Sequence, residues 1–195
     1  MKIASVQHGG VAVYDANVLY PATLRDLLVQ LATTGLFRAP WTGRIHDEWT
    51  RCILAKRPDV TAEAVARTRR LMDLAVPDSL VVGYEPLIDA VSLPDPDDRH
   101  VLAAAVHAGA EWIVTLNLKD FPPAVLEPHE LAAVTPDALV CGLIELDAAA
   151  IADAIRKQRP RLRNPPRTIE QHLARLREQG LGEAVERLSG LDLHL

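Results

Sequence analysis

Three aspartates stand next to short apolar segments that are typical of buried β-strands. Asp15 directly follows residues 11–14, and Asp120 follows residues 112–115 by five positions. Asp98 opens the helix that precedes the second of these segments. Because parallel strands end at a common edge of their sheet, we expect the three carboxylates to meet there. Carboxylates at short range raise one another's pKa, and a hard divalent cation such as Mg²⁺ or Mn²⁺ removes the conflict.

Glu48 is a fourth acid that belongs to this set. It lies about two turns into a helix that Thr42 is expected to cap, beside the apolar Ile45 and Trp49. Taken singly, each acid has an ordinary explanation, since Asp15 and Asp98 suit helix N-termini and Glu48 suits a solvated helix surface. Only the combination predicts an acidic pocket that holds a cation.

The elements that must position these acids alternate between strands and helices. Strands are predicted at 11–14, 36–39, 80–82, 112–115 and 132–135. Helices are predicted at 24–31 before Gly35, 43–57, 62–74, 101–108, 138–146, 148–157, 169–179 and 183–188. This alternation is typical of a parallel, doubly wound α/β sheet.

Composition limits the class of protein. A chain of 195 residues with 49% hydrophobic and 24% charged residues suits one main globular domain with an appendage. No segment approaches the roughly 18 apolar residues of a membrane span, and the chain start lacks a signal-peptide pattern, so we expect a cytoplasmic protein with no membrane partner. The two cysteines, Cys52 and Cys141, fit no metal-ligand spacing and are predicted to be small buried hydrophobes.

Four acidic segments follow one another in an informative order. They are residues 13–20 (Val-Tyr-Asp-Ala-Asn-Val-Leu-Tyr), 46–48 (His-Asp-Glu), 95–105 (Asp-Pro-Asp-Asp-Arg-His-Val-Leu-Ala-Ala-Ala) and 115–121 (Thr-Leu-Asn-Leu-Lys-Asp-Phe). In this order they resemble PIN-domain ribonucleases of the VapC toxin family of type II toxin–antitoxin systems. The resemblance spans residues 11–140 and implies a three-layer α/β/α sandwich around a parallel central sheet. Residues 1–140 would form the PIN domain and 141–195 a helical C-terminal extension that shorter relatives lack.

The resemblance also implies the roles of the acids. Asp15, Glu48 and Asp98 correspond to the three principal catalytic and metal-binding residues, and Asp120 to the fourth. Relatives place the last acid either at Asn117 or at Asp120, and that alternative stays open.

Neighbouring residues are expected to support these acids. Asn117 would orient a metal-bound water or the substrate, and Thr115 would hydrogen-bond the carboxylates. Asp95 and Asp97 are the alternatives to Asp98 if the alignment of that cluster is shifted.

The implied activity is hydrolysis of RNA phosphodiester bonds with one or two Mg²⁺ or Mn²⁺ ions. A toxin of this kind also implies a cognate antitoxin, which in this family often inserts an arginine into the acidic pocket. RNA or antitoxin contacts are expected from basic residues, with the choice between the two left open. These are Arg51, Arg67, Arg70, Arg161 and Arg163.

Charge is unevenly distributed along the chain. Residues 1–150 carry a net charge of −8 and residues 151–195 a net charge of +3. The basic, proline-containing linker at 159–167 separates the predicted helices of the extension. Apolar residues of these helices predict packing on the main domain or on a second copy in a homodimer. They are Leu173, Leu176, Leu181, Val185 and Leu188.

Other functions fit the residues less well. An aspartate-nucleophile phosphatase needs a second aspartate where Asn17 stands, and a receiver domain shares only a lysine resembling Lys119. His100 and His107 lack a third partner for zinc. The serious alternative from another class is a catalytically silent PIN fold that binds RNA or protein. A third possibility is a nuclease for structured DNA, which the small size of the chain and the absence of a helical insertion disfavour. The presence of all four acids favours the active ribonuclease.

Overall fold

The structure, a computed structural model, describes residues 8–158 and 168–191. Its strands are short and parallel: β1 (Ala12–Tyr14), β2 (Trp41–Thr42), β3 (Leu80–Val81), β4 (Trp112–Val114) and β5 (Ala132–Val134). Three of them form a sheet in the order β1-β4-β5, and β2 pairs with β3. The expected α/β/α sandwich with a parallel sheet is confirmed.

The two groups of strands are joined by the segment just before β2. The backbone N–H of Ala12 donates to the carbonyl of Arg38 at 2.9 Å, and that of Tyr14 donates to the carbonyl of Pro40 at 3.3 Å. The spatial order is therefore β3-β2-β1-β4-β5. The strand predicted at 36–39 is misplaced by a few residues, since β2 begins at Trp41. Residues 36–40 do bond to residues 9–14, but they form an isolated bridge at Arg38 rather than a regular strand, and Pro40 has no N–H to continue a ladder.

Two helices of the main body begin at threonine caps that the sequence provides. Thr42 accepts a hydrogen bond from the backbone of Ile45 at 3.1 Å, and Thr61 accepts one from Ala64 at 3.2 Å. The helices are α1 (Ala16–Leu19), α2 (Ala22–Ala32), α3 (Gly43–Lys56), α4 (Ala62–Ala75), α5 (Arg99–His107) and α6 (Pro123–Leu126). Short 3-10 turns lie at Glu85–Leu87, Pro96–Asp98, Leu118–Asp120 and Glu127–His129.

The C-terminal extension is helical, as expected. It consists of α7 (Pro136–Gln158), α8 (Ile169–Glu178) and α9 (Gly182–Ser189). Asp147 has non-helical backbone angles inside α7, which divides that helix where the sequence predicted two. Thr168 and Gln171 form the predicted capping box at the start of α8.

The extension packs on the main body through α2, which contacts both α7 and α8. Leu176, Leu181, Val185 and Leu188 are almost fully buried and belong to the same apolar cluster as the sheet, with Leu173 packed against it. This burial corresponds to the first of the two predicted partners, the main domain. The linker at 159–167, including Arg161 and Arg163, lies outside the described residues.

The cysteine prediction is half wrong. Cys141 is buried, whereas Cys52 is exposed, because the apolar face of α3 turns Ile53 inward instead. Among the described helices, none combines the length and apolar character that crossing a bilayer requires.

Candidate functional site

A cleft of about 800 Å³ lies beyond the C-terminal ends of β1 and β4. The structure brings four of the sequence-predicted acids into its lining: Asp15, Glu48, Asp98 and Asp120. Asn117 also lines it, together with the further acids Asp47, Asp95 and Asp97 and the basic residues Arg44, Arg51 and Lys56. The strand ends, one side of α3 along its length and the start of α5 therefore converge on one strongly acidic cleft.

Asp15 is the most deeply placed of these carboxylates. It follows β1 as the N-cap residue of α1, and its side chain is buried. Its Oδ2 accepts hydrogen bonds from Thr115 Oγ1 at 2.8 Å and from Asn17 Nδ2 at 2.5 Å. Burial raises the pKa of Asp15, and the hydrogen bond from Thr115 opposes that rise. Asp15 is thus held rigidly, with a hydrogen-bonded charge.

Asn17 is a site residue that the sequence reasoning missed as such. Its amide nitrogen contacts Asp15 and also donates to Thr115 Oγ1 at 2.8 Å, while its Oδ1 accepts the backbone N–H of Leu116 at 2.9 Å. Asn17 therefore links the end of β1 to the end of β4. In the sequence analysis, the identity of residue 17, two positions after Asp15, served only to exclude an aspartate-nucleophile phosphatase.

Glu48 reaches the cleft from α3. The same helix buries Ile45, His46 and Trp49 against the core, which leaves Glu48 at the boundary of the buried face. Glu48 Oε1 lies 2.8 Å from His100 Nε2 and 3.5 Å from Arg44 Nε. In the sequence analysis, His100 was only a possible zinc ligand together with His107, and its position next to Glu48 was not predicted.

Asp98 carries the clearest electrostatic signal of the cleft. It ends the 3-10 turn before α5 and is about half buried. Its pKa rises to about 7, first because of burial and then because of the negative charges of Asp15, Asp95, Asp120 and Glu48. The four acids are therefore electrostatically coupled.

The alternatives that the sequence left open lie side by side. Asn117 Nδ2 donates a hydrogen bond to Asp120 Oδ2, and both residues line the cleft. In the acidic turn, Asp95 Oδ1 accepts the backbone N–H of Asp97 at 2.9 Å, so Asp95 caps the turn that carries Asp98.

The predicted basic contacts separate into groups. Arg51 lines the cleft, whereas Arg67 and Arg70 are exposed on α4 and are not among its lining residues. Arg69 instead pairs with Asp47 at 2.6 Å, which joins α4 to α3.

The ligand atoms that the cleft offers show which kind of metal ion it could hold. Carboxylate and amide oxygens are hard ligands, which suit Mg²⁺ or Mn²⁺ rather than a thiol-binding metal. No cysteine or imidazole is needed to complete such a set. The donor set, together with the raised pKa of Asp98, therefore fits a divalent cation.

The comparisons with known proteins agree with these observations. Residues 11–119 match a protein-family model described as "PIN domain", and residues 136–190 match one described as "VapC50 C-terminal domain". A curated protein of Mycobacterium tuberculosis, described as "Putative ribonuclease VapC50", is 40% identical over 97 residues. The aligned region is 50% of this chain and 57% of that relative, so just over half of the relative is covered. No solved structure matches the chain significantly.

Proposed function

The chain belongs to the PIN-domain family, and we propose that it is a Mg²⁺- or Mn²⁺-dependent endoribonuclease that serves as the toxin of a toxin–antitoxin pair. The observation that carries this proposal is the convergence of Asp15, Glu48, Asp98 and Asp120 on one cleft. The similarity to a protein described as a ribonuclease supports it, as does the match of the extension.

In this proposal the four carboxylates hold the cation. When bound, a divalent ion supplies Lewis acidity for the scissile phosphate and a water of lowered pKa. The protein's part is to keep the ligands in place: Thr115 and Asn17 fix Asp15, and Asn117 orients the carboxylate of Asp120. Because the pKa of Asp98 is about 7, cation binding must displace its proton below neutral pH.

Substrate binding is assigned to the basic rim of the cleft. Arg51 and Lys56 lie on α3 beside the acids and are exposed. Lys56 Nζ stands 5.5 Å from the ring centroid of Tyr20, which also lines the cleft. The two cations would bind phosphates on either side of the scissile bond, and Tyr20 offers an aromatic ring to an unstacked base.

The antitoxin is assigned to a different surface, on α4. Arg67, Arg70, Leu71 and Leu74 are spaced so that they share one helical face, and Leu71 and Leu74 are 53% and 76% exposed. A partner segment with acidic and apolar residues would complement this face. An arginine from the same partner would compete with the cation for the carboxylates of the cleft.

The test is cleavage of end-labelled RNA by purified protein in Mg²⁺, Mn²⁺ or EDTA. We expect cuts that require the metal and that disappear in Asp98→Asn, which keeps the side chain's size but removes its charge. Asp89→Asn is the matched control, because Asp89 is exposed and is not among the residues that line the cleft.

Absence of cleavage in every metal would overturn the nuclease, provided that the protein is folded and free of a copurified partner. A filter-binding assay with the same RNA then decides for the alternative, a catalytically silent binding module. Retained metal-dependent cleavage in Asp98→Asn would instead mean that the activity does not come from this cleft.

A further inference from the structure

His100 is a buried polar side chain with an unusual lack of partners. It is 1% exposed and follows Asp98 by two residues, in the first turn of α5. Neither ring nitrogen makes a well-directed hydrogen bond within the described residues, although Nε2 lies 2.8 Å from Glu48 Oε1. Unpaired buried polar groups cost stability, so one that is retained calls for an explanation.

Glu48 shows what His100 faces. Within the described part of the chain, its two charged contacts, from His100 Nε2 and Arg44 Nε, both end on Oε1. Its Oε2 has neither contact, and the side chain is only 22% exposed. One oxygen of the carboxylate is thus engaged by protein groups, and the other is left for the cleft.

We propose that His100 is a positioning residue whose Nε2–H holds Glu48 Oε1, so that Oε2 is the oxygen presented to the divalent cation. The inference rests on the proposed function, because it assigns a role toward the cation which that function requires. The tautomer follows from the acceptors within reach of the buried ring. A proton on Nε2 has Glu48 Oε1 as its acceptor, whereas a proton on Nδ1 has none. Such site hydrogen bonds are commonly misaligned until the site is loaded.

The neighbours of His100 predict a conflict between stability and metal binding. The next residues of α5, including Val101 and Leu102, are fully buried and apolar. An apolar residue of similar volume at position 100 would therefore suit the packing and would remove the unpaired Nδ1. If His100 were purely structural, replacing it would lower the stability of the fold. If it is a positioning residue, replacing it lowers only the affinity for the cation.

The experiment measures Mn²⁺ affinity by isothermal titration calorimetry and the melting temperature without metal. We expect His100→Leu to weaken Mn²⁺ binding 10- to 100-fold, with the melting temperature unchanged or raised. His100→Gln should recover most of the affinity, because its amide nitrogen stands near the position of Nε2, whereas His100→Asn, whose amide stands near Nδ1, should not. His107→Leu is the control, since His107 is exposed on the same helix and is not among the cleft-lining residues.

A double variant tests the route through Glu48. If His100 acts on the cation only through that carboxylate, Glu48→Gln/His100→Leu should bind Mn²⁺ as Glu48→Gln alone does. Mn²⁺ affinity within twofold of wild type in His100→Leu would overturn the inference. The inference would also be overturned if His100→Leu and His100→Gln lost the same amount of Mn²⁺ affinity and the same amount of melting temperature, because that result would indicate a structural role.

The failure of this inference is separable from that of the proposed function. Wild-type protein that cleaves RNA while His100→Leu binds Mn²⁺ normally would remove the inference alone. Wild-type protein that binds Mn²⁺ through His100 and Glu48 but cleaves no RNA would remove the ribonuclease and leave the inference. Wild-type protein that binds neither Mn²⁺ nor Mg²⁺ would overturn both.

Discussion

The part of the chain that the structure describes contains two clusters of possible metal ligands, and they differ in how their charge is balanced. Beside the acidic cleft, Asp137, Cys141 and Glu183 lie between α7 and α9 with ligand atoms within 4.8 Å of one another. There Glu183 accepts hydrogen bonds from Arg187, the shorter at 2.6 Å, and Asp137 caps α9 by accepting the backbone N–H of Ala184 at 2.9 Å. Burial, and then Asp137, raise the pKa of the Cys141 thiol to about 11, so it is protonated at neutral pH.

In the cleft the compensation is incomplete: among the described residues, Asp15, Asp98 and Asp120 make no ion pair, although Arg44, Arg51 and Lys56 line the same cleft. Arg44 approaches Glu48 at its edge, but Asp98 faces four other carboxylates, and its pKa rises to about 7. Close approach of ligand atoms is therefore the poorer guide to a cation site. Charge that the chain itself leaves unbalanced is the better one, because an added cation then gains most.

The largest expected effect contrasts one acid from each cluster. Asp15→Asn should reduce the rate of metal-dependent RNA cleavage at least a thousandfold, on the order of 4 kcal/mol, because it removes a carboxylate from the proposed cation site. Asp137→Asn should leave the rate within about twofold, because Asn can still accept the capping hydrogen bond. Single-turnover cleavage of a labelled RNA measures both. Comparable losses in the two variants would erase the distinction between the clusters.

A second expectation concerns the extension as part of the fold. Ile151 is fully buried on α7, in the same apolar cluster as the sheet. Ile151→Ala should therefore lower the free energy of unfolding by about 2–5 kcal/mol. Urea unfolding followed by tryptophan fluorescence and by circular dichroism should show one shared transition, since all three tryptophans lie in the main body.

The matched control is Asp153→Ala, on the exposed side of the same helix, which should change the unfolding free energy by less than about 0.5 kcal/mol. Two separate transitions would show that the extension folds as an independent unit. The boundary proposed at residues 140 and 141 would then separate two domains rather than parts of one core.

The smallest expected effect is a pH dependence caused by Asp98. Its pKa in the folded protein, about 7, lies above the ordinary value of 3.8, so its ionisation destabilises the fold as pH rises through that interval. In the absence of divalent metal, Asp98→Asn should raise the melting temperature at pH 8 and raise it less at pH 5. The gain should be on the order of a few degrees, since 1 kcal/mol corresponds to about 2–4 °C for a chain of this size.

Differential scanning fluorimetry in EDTA measures this shift. Added Mg²⁺ should raise the melting temperature of the wild type at pH 8 and have much less effect on Asp98→Asn. An equal gain at both pH values would contradict the electrostatic cause, because a packing effect would not depend on ionisation.

Much of the fold was readable from the sequence because its signals are local. Thr42, Thr61 and the Thr168–Gln171 pair each cap a helix through contacts three residues away. The strand predicted at 36–39 was misplaced because its apolar pattern does not reveal that regular pairing is interrupted at Pro40. Cys52 was misjudged because it borders the buried face of α3, where one position around the helix decides exposure.

The candidate site could be predicted only in part, because sequence signals report local contacts and not contacts between remote residues. The four acids could be ordered along the chain, but Asn17 and His100 act on residues far away in sequence. Asn17 bonds Thr115 across 98 positions, and His100 meets Glu48 from another helix. No spacing rule reports such contacts.

The sequence by itself determined the strand and helix order, the caps and the acids that belong to one sheet edge, because these depend on neighbours within a turn or on the parallel sheet. Only the tertiary structure decided the rest: that His100 and Arg44 both approach Oε1 of Glu48, how far the pKa of Asp98 rises, and that Arg187 and the start of α9 satisfy the second cluster. These properties depend on distances between residues remote in the chain, and both electrostatic energy and hydrogen bonding change steeply with such distances.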